Sequence, residues 1–317
     1  MNVRPIQRSA GTFLTLLLML ASQASCARLF IKPIPDPMIE VRKDYPQHIE
    51  QWHQERWQEL NSESGWLTLV GLFWLKDGAN TFGSDSANDI VLDNKQLDSH
   101  AGNIVLKNGV VRLETKQSGF MEGVKPAQSL ELKTDADDKP TIVRLGSLSF
   151  QIIKRGEKLG LRVKDSQNPD RLNFKGTEFY PADLKWCIVA QFEPYDPPKP
   201  MPIMNVLGMD SSESSPGAIV FTINGQQYRL DAITEKNYSR LFVIFADHTG
   251  GKETYPAGRY LYVYPPDDAG RVVIDFNKAF SPPCAFTKFA TCLLPPRQNR
   301  LPIAIEAGEK YKAHPIN

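Results

Sequence analysis

The stretch AIVFTI-NG-QQYRLDAI, Ala218 to Ile233, decides the fold class. Apolar residues alternate on both sides of Asn224-Gly225. Asn-Gly is the preferred two-residue hairpin loop, because both positions take a positive φ. The pattern therefore predicts two antiparallel strands. Downstream, Arg240–Ala246, Arg259–Val263 and Arg271–Asp275 are short β-branched and aromatic runs that continue the sheet. Upstream, Trp186–Phe192 reads as a strand leading into Glu193-Pro194-Tyr195-Asp196-Pro197-Pro198-Lys199-Pro200, expected to be an extended proline-rich segment. The tail from Phe276 reads as irregular until Ile303–Glu306.

The first half carries the same signature. Asn80–Phe82, Asp89–Leu92, Gly102–Leu106, Val110–Glu114, Thr141–Leu145, Leu148–Lys154 and Gly160–Val163 are short strands with Gly/Asn/Asp turns between them. The apolar run GWLTLVGLFWL, residues 65–75, predicts a buried strand or strand pair, with the Asp77-Gly78 turn behind it. Residues 133–140 (KTDADDKP) read as a solvated loop. Before these strands a helix is expected, capped by Asp44 with Pro46 in its first turn. Ile49, Trp52, Trp57 and Leu60 share one face of it, the two tryptophans packing into the core.

The N-terminus has the order of a secretory signal. Arg4 and Arg8 precede the apolar core Phe13–Ala21, which is too short to span a bilayer, and small residues follow. Ser22-Gln23-Ala24 and Ser25-Cys26-Ala27 both suit a signal peptidase, and the alternative is a lipoprotein with Cys26 as its lipidated first residue. The organisation read from the sequence is a signal peptide at 1–27, a proline-rich linker at 28–45, a first lobe at 46–180 and a second at 181–317. The expected destination is the periplasm, the cell envelope or the medium. No later segment is apolar for long enough to cross a membrane as a helix. With 37 basic and 36 acidic side chains the chain is nearly neutral, and loss of Arg4 and Arg8 takes its formal charge from +1 to −1. That balance gives no electrostatic footprint for nucleic acid and none for a basic membrane binder.

Two resemblances follow from particular residues. Gly65-Trp66-Leu67, Leu75-Lys76-Asp77-Gly78 and Phe82-Gly83-Ser84-Asp85 are similar to the opening of the DUF1684 family, whose function is unknown. The tail is similar too: Asp275-Phe276-Asn277, Pro282-Pro283-Cys284-Ala285-Phe286-Thr287, Ala290-Thr291-Cys292, Asn299-Arg300-Leu301-Pro302 and Ile305-Glu306-Ala307-Gly308-Glu309-Lys310. More loosely, Phe82-Gly83-Ser84, Asn88–Leu92 and Ser99-His100-Ala101 resemble a forkhead-associated (FHA) sandwich. That family reads phosphothreonine with an Arg after the motif glycine, and Ser84 stands in its place here, so the resemblance implies fold rather than phosphopeptide binding. The fold expected is mainly β: an FHA-like β-sandwich lobe packed on a C-terminal β-barrel or curved antiparallel sheet, with one N-terminal helix.

The candidate chemistry clusters near the last strands. Asp247-His248-Thr249 ends an apolar strand at Gly250-Gly251. Asp275 and Asn277 are two apart, and Glu306 and Glu309 flank Ala307-Gly308. If these converge with Tyr255 and Arg259, two uses follow. Tyr255, Arg259, Asp275, Asn277, Glu306 and Glu309 would bind a small molecule. Alternatively Asp247, His248, Asp275 and Glu306 would serve as hydrolase-like acid/base groups. The same residues can instead cap turns and pair with one another inside a barrel end, leaving an envelope interaction module. Cys284 and Cys292 have three readings: a disulfide stapling the tail, two buried thiols, or a nucleophile served by His248. No CxxC, zinc-type Cys/His spacing, nucleotide loop or Gly-x-Ser-x-Gly elbow occurs, which disfavours a zinc site, a bound nucleotide and an ordinary α/β-hydrolase; the cofactor is left open, and the converging carboxylates could instead form an oxygen-rich cation site. Alternating Tyr228, Tyr238, Phe242, Phe245, Tyr260, Tyr262 and Tyr264 read as core residues or cross-strand pairs, and the tyrosines alternatively as the lining of a barrel mouth that holds a small organic ligand.

Overall fold

The computed structural model describes residues 44–121, 129–235 and 239–312. The signal peptide, the linker up to residue 43, Cys26 and Tyr238 lie outside the described residues. The first lobe is a β-sandwich built from β1 (Leu69–Trp74), β2 (Gly78–Gly83), β3 (Ile90–Val91), β4 (Gly102–Lys107), β5 (Val110–Thr115), β6 (Phe120–Met121), β7 (Ser129–Glu131), β8 (Ile142–Leu145), β9 (Leu148–Arg155) and β10 (Lys158–Asp165). They form two five-stranded sheets, ordered β3-β2-β4-β5-β7 and β1-β10-β9-β8-β6. Phe82, Ile104 and Leu113 of one sheet meet Phe150, Leu161 and Val163 of the other in a single apolar core. Alternation puts Arg162 and Lys164 on the outer face of the second sheet.

The second lobe is one antiparallel sheet of six strands: β11 (Cys187–Met204), β12 (Asp210–Ile223), β13 (Gln226–Thr234), β14 (Leu241–Phe245), β15 (Arg259–Val263) and β16 (Arg271–Asp275). Its order is β15-β14-β13-β12-β11-β16, and it curls into a half-barrel. The hairpin at its centre has the register its sequence predicts. Ile219 faces Leu230 and Phe221 faces Tyr228, while Asn224 and Gly225 take φ of 51° and 77°. One face is filled by Val243, Phe245, Leu261 and, from the tail, Phe276, Ile305 and Ala307. The other carries Phe242, Ile244 and Tyr260 against Cys284, Ala290 and Cys292. Burial on both faces explains the unbroken apolar run of β14.

The proline-rich 193–200 segment is extended as expected and lies within β11, which pairs with β12 on both sides of a register shift between Pro194 and Lys199. Prolines are tolerated where the ladder slips. Two local expectations are corrected. Ile303–Glu306 forms no strand; it fills the concave face as irregular chain. Helix α1 (Tyr45–Leu60) begins where expected, but Asp44 makes no side-chain capping bond, and Trp57 is 44% exposed. The buried stripe is Tyr45, Ile49, Arg56 and Leu60, four to seven residues apart, and Trp57 lies one position off it. Helix α1 packs on the second lobe, where Tyr45 and Ile49 meet Cys187 and Val273.

Candidate functional site

The edge strands β15 and β16 of the half-barrel are neighbours without a ladder between them, and α1 lies beside them. A cleft of about 540 Å³ remains between helix and strands. His48, Trp52 and Glu55 form its helical wall, and Tyr262, Tyr264 and Phe280 its aromatic wall. Three cations line it, Arg240, Arg271 and Lys278. The Arg240 guanidinium lies 4.8 Å from the Tyr262 ring centroid and 5.9 Å from that of Tyr264. Arg271 pairs with Asp267 at 2.8 Å. Tyr264 is 73% exposed at the rim.

Asp275, Tyr45 and Cys187 also line the cleft. The Asp275 carboxylate accepts from the Tyr45 hydroxyl at 2.8 Å and from the Asn277 backbone N–H and Nδ2, each at 3.1 Å. Asn277 Nδ2 also donates to the Asp183 carbonyl at 2.9 Å. Burial raises the Asp275 carboxyl above its ordinary range, against the opposing hydrogen bonds and the charge of Lys278. Burial, then the Asp275 charge, pushes the Tyr45 phenol far up. The same two causes push the Cys187 thiol up to about 12, so it offers no thiolate near neutrality.

The other candidates lie apart from this group. Asp247 and Arg259 form an ion pair at 2.9 Å, their side chains 2% and 1% exposed. Asp247 also accepts from Thr249 Oγ1 at 2.8 Å and the Ile305 N–H at 2.8 Å. Arg259 donates to the carbonyls of Ile305 and Ala307, and its Nε has no partner among the described residues. Burial lowers the Arg259 pKa, with Asp247 opposing. His248 is exposed, and its backbone N–H holds the Ile303 carbonyl. The Tyr255 hydroxyl donates to the Cys284 carbonyl at 3.1 Å. Glu306 is exposed and lines a separate cavity of about 710 Å³ with Tyr180, Asp183 and Lys185, which shares only Tyr45 and not Asp275 with the cleft. Glu309 is fully buried and accepts from Arg56 Nε at 3.1 Å. Burial raises its carboxyl, and Arg56 opposes.

The structure therefore brings Asp275 with Asn277 and Asp247 with Arg259, and gathers no pocket containing all the candidates. Cys284 and Cys292 lie at disulfide distance with Cα atoms 6.2 Å apart, while Cys187 is buried and lies outside that pair. Among the described residues no group of His, Cys, Asp and Glu is arranged to hold a metal ion. Sequence reasoning missed Tyr45, Arg56 and Arg240. The signal for the first two was their helical spacing from Ile49 and Leu60; Arg240 had only its place before an apolar strand.

Residues 172–310 match the model of a family described as "Protein of unknown function (DUF1684)". The solution NMR structure of an uncharacterised protein from Haloarcula marismortui is 28% identical, covering 44% of this chain and 78% of that one, with a TM-score of 0.38. No curated protein matches the chain. From residue 172 to residue 310 the chain carries the DUF1684 sequence pattern, and it is to this family that it is similar.

Proposed function

We propose that the protein binds a small organic anion with a planar ring in the cleft between α1 and the edge strands of the half-barrel. The observation that carries this reading is Arg240 held against Tyr262 and Tyr264 beside Arg271 and Lys278, in a space of about 540 Å³. Aromatic walls with a few placed cations are the ordinary make-up of such a site. Asp275, fixed by Tyr45 and Asn277, orients a donor on the ligand. Trp52 lines the cleft, so its fluorescence reports binding. Benzoate should give a saturable change that benzyl alcohol does not, and Arg240→Glu should abolish it. Equal responses to both compounds, or an unchanged response in the variant, would sink the proposal. The hydrolytic reading rests on Asp275 as a carboxyl raised towards general-acid use. Turnover of an ester panel that is the same with and without Asp275→Ala counts against it.

The reading includes export, carried by Arg4, Arg8 and the Phe13–Ala21 core, with Cys26 as the alternative lipid anchor. Fractionation of a tagged chain in a bacterial host, with a Cys26→Ala control, tests both. The sandwich is taken as FHA-like in fold only. Ser84 Oγ donates to the Leu97 carbonyl and Asn88 bridges Asp85, Ser99 and His100, which braces the loops where that family binds its ligand.

A further inference from the structure

Three carboxylates line the cleft beside α1: Glu55, Asp267 and Asp275. Asp267 is spent on its own turn. One of its oxygens accepts the Ala269 and Arg271 N–H groups, and the other the Arg271 guanidinium. Glu55 is exposed to solvent and accepts from the Gln51 amide at 2.8 Å. Asp275 differs from both. Its side chain is only 11% exposed, and its hydrogen bonds are one-sided. The Tyr45 hydroxyl, the Asn277 N–H and Asn277 Nδ2 all donate to Oδ1. Among the described residues no N–H or O–H group bonds Oδ2, and Lys278 Nζ stands 3.9 Å from it. Ser281 Oγ is also without a partner but sealed in the interior, whereas Oδ2 keeps its access. Asp275 lines this cleft, so the open oxygen is presented to it.

A shielded acceptor with no donor favours a ligand that brings one. The charges around it select the kind of donor. Arg240, Arg271 and Lys278 line the same space, which disfavours an ammonium group and favours a neutral donor. Tyr45 shows which neutral donor this carboxylate already takes, a phenol hydroxyl 2.8 Å from Oδ1. The Cys187 thiol also lies against the carboxylate, but a thiol is a weak donor that a hydroxyl outcompetes. Tyr262 and Phe280 in the wall suit a ring that carries such a hydroxyl. Burial raises the Asp275 carboxyl, and the bonds it accepts oppose that, so a further donor on Oδ2 stabilises the carboxylate.

We propose that the ring anion bound in this cleft is a hydroxyaryl acid, whose phenolic O–H donates to Asp275 Oδ2 while its anionic end meets the cleft's cations. The inference rests on the reading of the cleft as a ring-anion site and specifies what the ring carries. Titration calorimetry of the full chain at neutral pH compares benzoate with meta- and para-hydroxybenzoate and with the corresponding methoxybenzoates. One of the hydroxybenzoates should bind about tenfold more tightly than benzoate, the effect of one hydrogen bond to a charged acceptor. Its methyl ether, which has no proton to give, should bind no more tightly than benzoate. In Asp275→Asn the amide keeps an oxygen for Tyr45 and turns its NH2 group to the cleft, so the preference for the hydroxyl should vanish. Difference absorption in the parent protein gives a readout that does not depend on a variant folding. The phenol band of the bound hydroxybenzoate should move to longer wavelength, as donation to a carboxylate requires. Benzoate bound as tightly as both hydroxybenzoates, a stationary phenol band, or a hydroxyl preference that survives in Asp275→Asn would overturn this inference and leave the ring-anion reading standing. No saturable heat with any of these compounds would overturn both.

Discussion

The sandwich and the tail-closed half-barrel solve the same problem in opposite ways. In the sandwich, ladders satisfy most of the backbone, with Asn80 and Thr115 adding buried side-chain bonds to the carbonyls of Ile104 and Ala101. The half-barrel is packed on both faces by tail chain that forms no strands, so much of the ladder's work there falls to side chains. Asn299 accepts from the Asp231 N–H at 2.8 Å and donates to the carbonyls of Asp231 and Ile244 at 2.8 and 2.9 Å, linking β13 to β14 and the tail. Asp247 takes the Ile305 N–H, and Arg259 takes the Ile305 and Ala307 carbonyls. Irregular buried chain needs such partners, because an orphaned backbone group is costly. A dense set of polar residues in a motif is thus as much a mark of irregular burial as of catalysis.

The sharpest way to break this contrast is Asp247→Ala. It leaves Arg259 buried without its carboxylate and frees the Ile305 N–H, so a loss of about 3–5 kcal/mol is expected in urea unfolding. The sandwich control, Leu161→Ala, should lose about 2–5 kcal/mol through a cavity instead. Replacing Asp247 and Arg259 together by leucine should not recover the parent stability, because the tail carbonyls stay unmet. Full recovery would show that the pair serves only itself. Asn299→Leu should lose about 2–3 kcal/mol, since it strands buried groups on two strands. A loss near zero would mean that the tail finds other partners. The smallest effect concerns the helix. His53 stacks on Phe179 with ring centroids 3.8 Å apart, and burial lowers its pKa from 6.5, opposed by Glu50. Its contribution is therefore full above the unfolded value of about 6.5 and lost as pH falls through the lowered folded one. The melting temperature of the parent should drop relative to His53→Phe below about pH 6.5. A flat difference down to about pH 5 would contradict this burial.

The same contrast marks what the sequence could say. The hairpin, most sandwich strands and the mainly β class rest on turn chemistry and period-two alternation, which are local. The site depends on meetings between distant residues. Arg56 sits in the charged-looking stretch HQERWQEL, and its burial is set by Glu309 at the other end of the chain. Asp275 and Asn277 do meet, though not as neighbours on an extended strand: Asp275 caps a 3₁₀ turn at Phe276–Lys278 and so collects the Asn277 N–H. Glu306 and Glu309, alike in sequence, go to solvent and to the deepest interior. Ala307 and Gly308 carry the chain between them, and Gly308 takes φ of 78° where an added Cβ would meet the Ala279 carbonyl at 2.4 Å.

Helix α1 also settles where the second lobe can be cut. The segment that matches the family model begins at residue 172, yet two of its buried carboxylates, Asp275 and Glu309, are completed by Tyr45 and Arg56 from outside it. A fragment trimmed to the matched stretch would expose the seat of the helix and leave Glu309 without a counter-ion. The smallest piece in electrostatic balance thus includes Tyr45, and the sandwich is an insertion between that helix and the sheet it completes.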